Sequence, residues 1–364
     1  MNRLSLITLI ALAFSPQTPL VANETTASDA LVEITARTAA RIQAAAYVDV
    51  FGCGLNVSTV AGVADRTTGA PAPLDAPLRI GSVGKLYTAA TLHRLAERGA
   101  INLDEPVSRM LLPGDAADVA GRTATLRQLL NHTGGVPDYY ALPDIRKWDM
   151  RQPLTPPRIL TAIAGRKATS PPGGAYSYSN SGYHLAALAV ERAVGQPLAA
   201  MMEEEVIALL GLAATIYHES APAGPLHGYV GRDDQWESAE NTGPDSGITA
   251  TLADLRKSMR ALFLEDGPLR PAGVAMTADP VETDRPRFRA GAGAEVRESR
   301  EGMALVGHTG DVEGYLTFAY AAPAYDLTII GHITASDKAA LTELLRTVGS
   351  IATQACKAGH EVGR

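Results

Sequence analysis

The sequence predicts an α/β fold in which an antiparallel sheet is flanked by helices and interrupted by a mostly helical insertion. Three observations carry this. Strand patterns appear near the start, from Val48 to Val63, and return at about residue 290. The stretch between about residues 100 and 250 is rich in short helices and Pro/Gly turns, and an amphipathic helix closes the chain. The order divides the chain into an α/β sandwich domain built from residues 23–100 and 251–364, and a helical domain of residues 101–250. A cleft between the two is the expected place for a site.

The first 22 residues read as a secretory signal, with Arg3, an apolar run from Leu4 to Phe14 and a small-residue exit at Leu20-Val21-Ala22. Cleavage after Ala22 and delivery to the periplasm or the medium are expected. The apolar run is too short for the ~20 residues that a membrane span needs, and no later segment supplies them. Ser28 is the expected cap of a helix with Leu31, Ile34, Ile42 and Ala45 roughly on one face. The Val48 to Val63 run then reads as a β-hairpin, followed by a loop with three prolines. From Ser82 to Arg98, apolar residues at helical spacing predict a helix stopped by Gly99, which puts Ser82 at a helix start. In the last third, MALVGHTG, GYLTFAYA and DLTIIGHIT read as an antiparallel meander. The closing helix runs from about Asp337 to Ala358, with Leu341, Leu345, Val348 and Ala352 as its stripe.

Composition excludes several functions. A net charge of -7 and 5% aromatic residues provide no basic or stacking surface for nucleic acid. The eight histidines and two cysteines show no metal-ligand spacing, so neither metal nor cofactor is expected. Cys53 and Cys356 can form one bridge in an oxidising compartment or remain two buried thiols.

The segment Arg79-Ile80-Gly81-Ser82-Val83-Gly84-Lys85-Leu86 carries the chemistry. A phosphate loop needs glycine at 79 and Ser or Thr at 86, and a nucleophile elbow needs glycine at 80; neither pattern fits. What remains is Ser82-x-x-Lys85 at a helix start. A neutral hydroxyl is a poor nucleophile, and a lysine one helical turn on is a base only when part of it is neutral, which burial arranges.

Two further triplets accompany this pair: Tyr178-Ser179-Asn180 in a Pro/Gly-rich loop and His308-Thr309-Gly310 in strand-rich sequence. With AGVADRTTG, LLNHTGGVPDYY and GHTGDVEGYLTFAY around them, they make the chain similar to the serine β-lactamase and penicillin-binding protein superfamily, in its class C β-lactamase and DD-peptidase branch. The resemblance covers about residues 30 to 335. His-Thr-Gly also occurs at 132–134, where it reads as a helix end with a glycine cap.

The resemblance implies an exported serine hydrolase acting through an acyl-enzyme on D-amino-acid peptides, amides or esters, including cell-wall-derived peptides. Ser82 would be the nucleophile and Lys85 or Tyr178 its base, a choice the sequence leaves open. Tyr178 would pass protons to the leaving group, and Asn180 would hold the substrate amide. His308 and Thr309 would border the substrate, and the backbone of Asp311 would join that of Ser82 in binding the oxyanion. Histidine at 308, where a class C β-lactamase carries lysine, points to a DD-peptidase and D-aminopeptidase branch. Glu295 stands where DD-peptidases of the branch carry an arginine for the substrate carboxylate; Arg297 and Arg300 are possible substitutes. A carboxylesterase or class C-like β-lactamase, or an idle ligand-binding homologue, are the alternatives; the intact Ser82, Lys85, Tyr178 and Asn180 speak against the last. The fold of the superfamily also makes the first strand and last helix neighbours, which permits the Cys53–Cys356 bridge.

Overall fold

The computed structural model describes residues 26–221 and 224–362. The expected signal segment, residues 1–22, lies outside them. Helix α1 (Ala27–Ile42) leads into strands β1 (Ala46–Gly52) and β2 (Leu55–Ala61). Its cap is Thr26, not Ser28. Both residue types can cap a helix, but only Thr26 has an acid three places on: its hydroxyl accepts from Asp29 N, and the Asp29 carboxylate accepts from Thr26 N. The β1–β2 turn is Cys53-Gly54, both at positive φ (54° and 78°), the geometry of a tight two-residue hairpin.

The remaining strands of the main sheet come late: β3 (Val281–Glu282), β4 (Phe288–Ala290), β5 (Glu295–Glu298), β6 (Ala304–Val312), β7 (Tyr315–Ala322) and β8 (Leu327–Ile333). They form one eight-stranded antiparallel sheet in the order β2-β1-β8-β7-β6-β5-β4-β3. Strand β7 is buried along its whole length, because alternate side chains serve two cores. Phe318 and Tyr320 join Val48, Val50 and Ile329 under α1 and the last helix, Lys338–Val362, which contributes Leu344 and Val348. Ala319 and Ala321 join Tyr47 and Ile330 on the other face. Their small side chains admit α2 (Lys85–Glu97) and α4 (Leu252–Phe263) close to the sheet. That second core runs on without a break into residues 101–250.

Residues 101–250 hold α3 (Asn180–Val194) and several shorter helices, but also four strands of two or three residues, too short to leave an alternating pattern in sequence. Two of them, Ile216–Tyr217 and Ile248–Ala250, form a small sheet with Leu78–Arg79 and so fix the segment just before Ser82. Helical structure also continues past residue 250, through α4 and α5 (Arg270–Thr277). Cys53 and Cys356 are joined in a disulfide that ties the first hairpin to the last helix. Among the described residues no helix is long and apolar enough to cross a membrane.

Candidate active site

Ser82 lies in a 3-10 turn, Gly81–Gly84, one turn ahead of α2 and not in its first α-helical turn. Gly81, at φ 54°, makes the bend out of the preceding strand, and its N–H donates to Asn241 Oδ1 at 3.0 Å. Lys85, the first residue of α2, has no solvent exposure. Its ammonium donates to Ser82 Oγ (2.9 Å), Asn180 Oδ1 (2.7 Å) and the Asp245 carbonyl (2.8 Å), which uses all three protons. Burial lowers its pKa to about 8, although Asp245, Asp138 and Glu295 each pull the other way.

The loop before α3 supplies the next pair. Ser179, itself extended, caps this helix by accepting from Gly182 N at 3.1 Å, so Asn180 is the first helical residue and Tyr178 lies in the loop before it. Both still face Ser82: the Tyr178 hydroxyl donates to Ser82 Oγ at 3.1 Å, and Asn180 reaches Lys85. Burial holds the Tyr178 phenol well above its ordinary range. The Asn180 side-chain nitrogen lies 3.3 Å from both oxygens of Asp138, and its backbone N–H donates to the same carboxylate at 3.0 Å, which orients the amide.

The earlier His-Thr-Gly is part of this site. The helix Leu126–Leu130 ends at Asn131, and the left-handed residue after it is His132 (φ 63°), not a glycine as its sequence suggested. His132 Nδ1 accepts from Ser179 N at 3.1 Å, and its ring lies 4.3 Å from that of Tyr178. Burial drives this ring's pKa far down, so it is a neutral support.

Strand β6 forms the opposite wall. A Cβ at Gly310 would fall 1.9 Å from the Ile80 carbonyl and 3.3 Å from Ser82 N, and one at Gly81 would fall 3.0 Å from Asp311 N. Glycine at both positions lets the strand pass beside the turn, bringing the backbone N–H groups of Ser82 and Asp311 to one place. The Asp311 side chain pairs with Lys338 at 2.6 Å. Thr309 donates to Glu295 Oε1 at 3.0 Å, and Tyr320 donates to Glu295 Oε2. His308 is buried, which lowers its pKa despite the nearby Glu295.

Ser82, Tyr178, Asn180, His308 and Thr309 line a cleft of about 1020 Å³ with a strongly acidic wall that includes Asp138, Glu240, Asp245, Glu295, Asp311 and Glu313. Glu240 accepts from the Tyr140 hydroxyl and the Glu313 N–H, and burial pushes its pKa up to about 7. Arg297, expected as a substitute carboxylate grip, instead donates to the Tyr320 hydroxyl at 2.9 Å, and Arg300 is an exposed turn residue; neither lines the cleft. Arg285 does, from an exposed position over the Phe288 ring. Sequence reasoning missed His132, Asp138, Glu240, Asp245 and Arg285; only His132 left a signal, in its repeated triplet.

A family profile described as beta-lactamase matches residues 32–349, most of the chain and all of this site. The chain belongs to the β-lactamase family. It is 31% identical over 219 residues to penicillin-binding protein 4 of Amycolatopsis lactamdurans, an alignment that covers 57% of this chain and 55% of that protein. It is 33% identical over 168 residues to the esterase EstB of Burkholderia gladioli, covering 42% of this chain and 41% of the relative. The chain thus spans about half the length of the curated relatives it matches. Among solved structures, the D-amino acid amidase of Ochrobactrum anthropi SV3 in complex with D-phenylalanine superposes with a TM-score of 0.78 at 22% identity, covering 90% of this chain and 99% of the other. That likeness establishes the shared fold.

Proposed function

We propose that the protein is a serine hydrolase that forms an acyl-enzyme on Ser82 and acts on D-amino-acid peptides, amides or esters. The observation that carries this reading is the contact of Lys85 Nζ with Ser82 Oγ at 2.9 Å in a buried setting. With its pKa at about 8, about a tenth of Lys85 is neutral at pH 7. Tyr178, held well above 10, is a phenol at that pH, so Lys85 takes the role of acylation base and Tyr178 that of proton donor.

In the proposed step the Ser82 proton passes to neutral Lys85 while Oγ bonds to the substrate carbonyl carbon. The carbonyl oxygen takes the negative charge between the N–H groups of Ser82 and Asp311. Collapse breaks the bond to the leaving group, which takes the Tyr178 proton; Lys85 returns its proton to the phenol. Asn180, oriented by Asp138, offers its amide to the acyl group's carbonyl. Water then repeats the sequence in reverse to release the acid. The relatives named penicillin-binding protein and esterase, and the fold shared with a D-amino acid amidase, suit this substrate range.

Export to the periplasm or medium belongs to the same reading. Its support is the Cys53–Cys356 bridge, a bond that persists in oxidising compartments. The test of function is a panel of D-alanyl peptides, D-amino-acid amides, p-nitrophenyl esters and nitrocefin, with the acyl-enzyme trapped and its mass read. A fluorophosphonate adduct on Ser82 with turnover of at least one class supports the reading; no adduct and no turnover overturns it.

A further inference from the structure

The hydroxyl of Thr309 has one proton, and where that proton points decides what its side of the cleft can bind. It goes to Glu295 Oε1 at 3.0 Å. The other carboxylate oxygen accepts from the Tyr320 hydroxyl, whose own oxygen accepts from Arg297 Nη1 at 2.9 Å, so the phenol proton has only the carboxylate as its acceptor. The arrangement is built into the sheet: Glu295 stands opposite Gly307, and Gly307 opposite Tyr320. A Cβ at 307 would sit 2.9 Å from the Tyr320 ring, so the glycine keeps the path from Tyr320 to Glu295 clear. His308 completes the row, its Nδ1 against the Thr309 carbonyl and 3.8 Å from Glu295 Oε1. That nitrogen therefore carries the ring proton.

We propose that Glu295 sets leaving-group specificity: by holding the Thr309 proton, it leaves this side of the cleft with lone pairs and negative charge. The site then admits leaving groups that are neutral or donate hydrogen bonds, such as primary amides and uncharged esters, and turns away those that end in a carboxylate. The inference rests on the acyl-enzyme reading above. This is the leaving-group side because it adjoins the proton donor: the rings of Tyr178 and His308 are 6.5 Å apart. A carboxylate placed here would meet Glu295 and find no proton on Thr309, and like charges at close range oppose binding. Of the cations lining the cleft among the described residues, Lys338 pairs with Asp311 and Arg285 lies exposed over Phe288.

The experiment compares two substrates that differ only at the terminus, acetyl-D-Ala-D-Ala and acetyl-D-Ala-D-Ala-amide, by kcat/KM. The wild type is expected to favour the amide by about tenfold or more. In Glu295→Gln the new side-chain N–H₂ can donate to Thr309 and release its proton to the cleft, and the ratio is expected to fall towards one. If neither peptide turns over, their protection of Ser82 against fluorophosphonate labelling gives the ratio of their binding, which is expected to favour the amide in the wild type and to fall towards one in Glu295→Gln. A Ser82 adduct together with wild-type preference for the acid overturns this inference alone, and needs no variant that might misfold. An unchanged ratio in folded Glu295→Gln also overturns it. Loss of acid turnover in Arg285→Ala would then name the carboxylate's true partner. Absence of both adduct and turnover overturns the acyl-enzyme reading and this inference with it.

Discussion

The ring of His132 lies 4.3 Å from the ring of Tyr178, while its Nδ1 accepts from the next residue's backbone N–H. One side chain thus fixes both the plane of the proposed proton donor and the path of its main chain. His132→Asn, which tolerates the left-handed backbone, is expected to fold and to lower kcat by about ten- to a hundredfold with KM little changed, because small misplacements of a reacting group are costly. An unchanged kcat would remove His132 from any positioning role.

Ser82→Ala is expected to keep the fold and lose the fluorophosphonate adduct entirely. Lys85→Ala and Tyr178→Phe should each lower kcat/KM by ~10²–10⁴, the usual worth of a positioned acid or base. Losses under about tenfold in both variants would exclude them from proton transfer.

The rate should follow the neutral fraction of Lys85. With its pKa lowered to about 8, kcat/KM is expected to rise with pH up to about 8 and then level off. Asp245 raises that pKa through its negative charge, so Asp245→Asn should move the rising limb to lower pH, provided circular dichroism shows the fold intact. A limb that stays put, or moves up, contradicts this electrostatic account.

The disulfide closes a loop of 303 residues in sequence. In the chain-entropy view a loop this long is worth about 6 kcal/mol, so Cys53→Ser with Cys356→Ser should lower Tm by several degrees or more. Thiol counting on denatured, unreduced wild type should find no free thiol. Two thiols per chain would show that the bridge is absent.

Much of the frame was legible because it rests on local patterns. The β6–β8 meander is three strand-forming runs joined by turn residues, α2 stops at Gly99, and Ser82 and Lys85 are three residues apart, which any helical turn places together. The errors have equally local causes. Thr26 and Ser28 are both good caps, and the choice fell to Asp29. His132 took the left-handed position that glycine usually fills. The rest of the site had no local signal: Asp138, Glu240, Asp245 and Arg285 come from loops whose course is set by partners far away in sequence. Asp245, for example, is held at 2.9 Å by His184, which comes from α3. Arg297 shows the converse, a residue in the right neighbourhood whose side chain is taken by Tyr320.

The link between Cys53 and Cys356 also changes what a cut in the backbone means. From Cys53 to Cys356 the chain is a closed covalent ring. A protease that nicks any loop between the two cysteines opens the ring but frees no fragment. The strands of the main sheet, contributed by both ends of the chain, stay tethered for reassembly. A nicked molecule would run as two pieces on a reducing gel and as one on a non-reducing gel, and it could keep its cleft assembled long after its backbone has lost continuity.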